Sequence, residues 1–91
     1  MDCRRMPTIL IVRGWRFFFY TNEGNEPMHV HAVKGDADCK NWIYADRFDI
    51  EEEFEYNCSP RLRREVRQII FTHFDEICAA WRGRFGGADV H

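Results

Sequence analysis

Two imidazoles one residue apart, His29 and His31, are the densest local chemistry in this 91-residue sequence. Residues 28–33, Met-His-Val-His-Ala-Val, alternate with period two, so on a strand both histidines leave one face and Met28, Val30 and Ala32 the other. Side chains at i and i+2 can reach one ion or one reacting atom. Histidine titrates near neutrality and carboxylates lie close by, so His29, His31 and Glu26 form a candidate catalytic acid–base set. Glu23, Glu26, Asp38 or Cys39 would supply a third ligand to a metal at the pair. The same two residues serve equally well as a half-exposed pair bonded to neighbouring carboxylates and backbone. Neither a metal nor a cofactor is assigned.

Arginine supplies the second candidate surface. Arg61, Arg63, Arg64 and Arg67 crowd the start of a helix opened by Ser59-Pro60, a good N-cap followed by a residue suited to the first helical position. Positive charge there opposes the helix dipole by about 0.3–1 kcal/mol per group. Something negative is expected to compensate: the acidic run at residues 49–55, RNA or DNA, or an acidic protein. Arg16 joins the binding candidates because it sits with Arg13 beside the aromatic run 15–20, where bases can stack. Those aromatics can instead fill a core.

These side chains need a frame, and the chain can build only one. A length of 91 residues fits a single domain, and 45% hydrophobic with 15% aromatic residues can fill its interior. Disorder, a membrane span and a multi-domain dinucleotide enzyme are excluded. There is no phosphate-binding glycine loop, nucleophile elbow or zinc-finger spacing. The net charge of −2 conceals segregation, with a basic N-terminal fifth, a strongly acidic middle and a basic end, and eleven of the thirteen bases are Arg. Cys3, Cys39, Cys58 and Cys78 match no metal framework, and residues 1–5 do not read as the start of a signal peptide. Free thiols in a reducing cytoplasm are expected.

The elements follow from periodicity. Residues 8–13 and 15–20 read as a hairpin around Gly14, residues 28–33 as a third strand, and residues 38–44 as a fourth. In the fourth, Cys39, Asn41 and Ile43 share one face and Lys40, Trp42 and Tyr44 the other. Residues 49–55 fit a strand whose edge is blunted by charge, with a helical turn as the alternative. From Leu62, the positions Val66, Ile70, Phe74, Ile77, Trp81 and Phe85 form one helical stripe. This predicts one helix of about 26 residues, ~39 Å long, or two consecutive helices divided near Thr72-His73. The fold class is α+β: a small antiparallel sheet of four to five strands packed against the C-terminal helix or helices.

Met6-Pro7-Thr8-Ile9-Leu10, Gly14, Arg16-Phe17-Phe18-Phe19-Tyr20 and Asn25-Glu26-Pro27-Met28-His29-Val30-His31, with Lys40, Trp42 and Trp81, resemble the bacterial family named domain of unknown function 4160. The resemblance covers residues 6–85, giving a domain there, an N-terminal extension at 1–5 and a tail at 86–91. It puts emphasis on Glu26, Pro27, His29 and His31. It also implies a partner, since members are often encoded beside a second small protein, and such pairs are commonly counted as candidate toxin–antitoxin modules. The chain departs from the family in carrying Met28 where a second proline is usual, and in a heavier acidic run.

The function expected from the sequence is therefore a protein-binding module working with a small protein encoded nearby, as one component of a toxin–antitoxin-type pair. The alternative is a small RNA-cleaving enzyme in which His29 and His31 move protons and Arg61, Arg64 or Arg67 holds phosphate.

Overall fold

The computed structural model describes residues 8–20 and 25–86. Five strands run β1 (Leu10–Val12), β2 (Trp15–Phe18), β3 (His29–Lys34), β4 (Ala37–Tyr44) and β5 (Asp49–Tyr56). Helices α1 (Pro60–Thr72) and α2 (Phe74–Phe85) follow. The sheet is an antiparallel meander in chain order, so β1 and β5 are its edges. Arg13 and Gly14 make the first turn, both at positive φ (52° and 84°), as a two-residue hairpin joining right-twisted strands requires.

The molecule measures 37 × 35 × 20 Å, and its shortest dimension is that of one sheet and one helical layer. Leu10, Trp15, Phe17, Val30, Ala32, Cys39 and Ile43 line the side of the sheet that α1 covers, and Val66, Ile69, Ile70, Phe74 and Ile77 come down from the helices. The strict alternation of buried and half-buried residues along β4 follows from this one-sided covering. Trp15 Nε1 donates to Glu65 Oε1 at 2.8 Å and so ties β2 to α1.

The helical stripe is real, and it is carried by two consecutive helices divided at His73, the second of the two readings. The chain breaks at His73 (φ −111°, ψ 27°), whose N–H closes α1 on the Ile69 carbonyl and whose carbonyl accepts the Ile77 N–H, each at 3.0 Å. The break lets Phe71 and Phe74 both pack against Phe48. At the front of α1, Ser59 Oγ accepts the Leu62 N–H at 3.2 Å, as the Ser-Pro start predicts.

The acidic run is a strand throughout, with one irregularity. Asn41 pairs with Glu52 and Lys40 with Phe54, so Glu53 is an extra residue on β5. On one side of this bulge Ile50 and Glu52 face the helices. On the other side Glu55 faces them, and Phe54 and Tyr56 are turned to the uncovered face of the sheet.

Candidate functional site

His29 and His31 do share a face, opposite the one that carries α1. Register places His29 beside Trp42 and His31 beside Lys40 and Phe18, while Val30 and Ala32 lie beside Asn41 and Cys39 on the helix side. The two rings meet edge to face at 5.3 Å between centroids. Phe18 stacks on His31 at 5.4 Å and Tyr20 meets it edge-on at 4.7 Å. Trp42 and Trp81 flank His29 at 5.3 and 5.1 Å. His29 is fully buried and His31 is 6% exposed. The pair is thus the centre of an aromatic cluster that seals one end of the sheet. His29 Nδ1 donates to the Pro27 carbonyl at 2.9 Å, so that nitrogen carries a proton, because a carbonyl can only accept.

Glu26 joins this cluster from the preceding loop. Its Oε1 lies 3.3 Å from Lys40 Nζ and 3.8 Å from His29 Nδ1. Lys40 in turn covers the Trp42 ring at 4.5 Å. Arg16 stands over Phe18 at 5.2 Å, next to the ring stacked on His31. Of the four candidate third ligands, Cys39 is on the opposite face and Glu23 lies outside the described residues. Among the described residues, no three His, Cys, Asp or Glu side chains gather as a metal site.

The arginine cluster lies on the other side of the sheet. The start of α1, β4 and β5 enclose a cleft of about 300 Å³ lined by Cys39, Asn41, Glu52, Pro60, Arg63, Arg64, Val66 and Arg67. The acidic run compensates one of its arginines: Arg63 reaches Glu52 at 3.0 Å and Glu55 at 4.0 Å. Among the described residues Arg61, Arg64 and Arg67 form no ion pair, and Arg67 lies over the Phe71 ring at 5.5 Å. Burial, then the neighbouring Cys58 thiol and the Glu52 and Asp38 carboxylates, hold the Cys39 thiol far above its ordinary range, so it is no nucleophile at neutral pH. Cys58 is pushed up as well, chiefly by burial. The structure therefore brings Glu26, His29, His31 and Arg16 together on one face and Arg63, Arg64 and Arg67 together behind the other. It does not merge the two sets.

A family model described as Domain of unknown function (DUF4160) matches residues 14–82. The chain belongs to that family. The matched segment runs from the first turn through the His strand, the acidic edge and α1 to the residue after Trp81, so it holds both faces just described. Neither a curated protein nor a solved structure matches the chain. Among the described residues no helix is long and apolar enough to cross a membrane.

Sequence reasoning missed Asn41 as a site residue. In sequence it is one polar position in a strand. Its burial, 3% exposed at the floor of the cleft, depends on α1 packing across β4.

Proposed function

We propose that this chain is a bacterial, cytoplasmic protein-binding module that works in complex with a small basic partner protein, as one component of a toxin–antitoxin-type pair. Strand β5 carries this reading. It is an edge of eight residues whose outer side pairs with no strand among the described residues. Phe54 and Tyr56 stand exposed on it, their rings 6.2 Å apart. An edge of this length is a template for an incoming strand, and an exposed aromatic pair is a suitable anchor for one. Asp49, Glu51 and Glu53 are exposed along the same strand. They repel a second acidic edge, which disfavours pairing between copies, and they select a partner segment rich in Lys or Arg. The thiols of Cys39, Cys58 and Cys78 are free, which suits a reducing compartment. RNA cleavage has less support, because His29 is enclosed and the arginines that would hold phosphate lie across the sheet.

The test is co-expression with the product of the adjacent small gene, followed by size-exclusion chromatography. A stable complex is expected. A chain that elutes alone, with both proteins folded, refutes the proposal.

A further inference from the structure

We infer that the cleft between α1 and strands β4 and β5 binds a small phosphate monoester, with its phosphate between Arg64 and Arg67 and its polar head group at Asn41. This stands on the cleft alone and is independent of any partner at the β5 edge.

Charge is the first support. The first turn of α1 has no acid, so the positive end of the helix dipole is uncompensated from within the helix. Arg63 is occupied by Glu52 and Glu55. Arg64 and Arg67 line the same cleft without a carboxylate partner among the described residues. At positions i and i+3 they are neighbours on one helical face. Two forked cations on one helical face suit a dianionic phosphate better than a single carboxylate.

The second support is independent of the helix. Asn41 is 3% exposed and lines the cleft. Its Nδ2 has only a 4.0 Å contact with Cys39 Sγ, a weak acceptor at the limit of bonding. Its Oδ1 accepts no hydrogen bond among the described residues, and it is not one of the side-chain atoms sealed from solvent. An amide oxygen that opens into the cleft is free to accept from a bound hydroxyl or amine. It faces a space of about 300 Å³, at the lower end of the range for small-molecule sites. Pro60 and Val66 add apolar wall. A compact monoester offers an anion for the arginines and a polar group for Asn41. A nucleic-acid strand crossing the cleft would meet the Glu52 and Glu55 carboxylates on its β5 side, whereas a small dianion can sit at the arginines alone.

Calorimetric titration of the full chain tests this with inorganic phosphate, a nucleoside 5′-monophosphate, a sugar phosphate and a short single-stranded RNA. At least one monoester is expected to bind saturably and more tightly than inorganic phosphate. The R64Q/R67Q double variant is expected to weaken that binding by about tenfold or more, the loss of one charge-assisted contact being enough for this. Both arginines are exposed, so the melting temperature of the unliganded variant should stay that of the wild type. Asn41→Ser should weaken the monoester but not inorganic phosphate. If Asn41→Ser does not fold, the arginine variant still decides. Four results overturn the inference: no saturable monoester binding at millimolar concentration, affinity unchanged in R64Q/R67Q, inorganic phosphate binding as tightly as every monoester, or RNA binding more tightly than all of them.

Discussion

Phe54 stands directly across from Lys40 on the uncovered face of the sheet, and it does so because Glu53 is an extra residue in β5. Side chains on a strand alternate, so one residue more or fewer exchanges the two faces for everything beyond it. Without the bulge, Phe54 and Tyr56 would take the inward positions and Glu55 would leave Arg63.

Deletion of Glu53 is therefore expected to destabilise the fold by roughly 1–3 kcal/mol, through the lost Arg63 contact and misplaced aromatics. Urea denaturation of the deletion variant against the wild type checks this. An unchanged midpoint would mean that the bulge does not set the facing of Phe54.

His29 should behave as a packing residue. It is fully buried between Trp42, Trp81 and His31 and bonded to the Pro27 carbonyl. His29→Ala opens a cavity among aromatics and is expected to cost about 2–4 kcal/mol. Chemical denaturation monitored by tryptophan fluorescence reads this directly, since two of the rings lining the gap are tryptophans.

Acid should loosen the tie between β2 and α1. The Glu65 carboxyl lies below its ordinary value of 4.5, held down first by the Trp15 N–H and then by Lys34 and Arg13. A folded value below the unfolded one means that this stabilisation is present above about pH 4.5 and is lost as pH falls through the folded value. Glu65→Gln keeps an acceptor for Trp15 and has no proton to gain. Its melting temperature should fall less steeply than the wild type's below pH 4.5, in melts recorded across that range.

Alkali should act through the thiols. Cys39, Cys58 and Cys78 are all raised above the ordinary 9.0, each mainly by burial. A raised folded value gives stability that is complete below pH 9.0 and is lost as pH rises beyond it, because the unfolded chain releases its thiol protons first. Urea midpoints should decline above pH 9.0, and Cys39→Ala should flatten the decline. At neutral pH, alkylation of Cys39, Cys58 and Cys78 should be slow in the native protein and should become fast on unfolding.

Much of the fold was legible because its signals are local. Alternation in residues 28–33 and 38–44 gave the faces of β3 and β4, and Ser59-Pro60 marked the start of α1. The break at His73 was legible only as one of two readings, since Ile70, Phe74 and Ile77 stay in phase across it. The bulge left no trace, because four of the five residues 51–55 are glutamates and no pattern marks the slip. The shared face of His29 and His31 was legible, but their burial was not. It depends on Trp81, fifty-two positions after His29 in the chain. Asn41 was hidden for the same reason: only the packing of α1 makes it a buried amide in a cleft.

The most direct measurement is amide hydrogen exchange of the chain alone and in complex with the co-expressed neighbour. Slower exchange confined chiefly to β5, Asp49–Tyr56, is the predicted result, because an added strand takes up the outer backbone groups of that edge. A complex that protects α1 or the β1 edge and leaves β5 exchanging as before would contradict it.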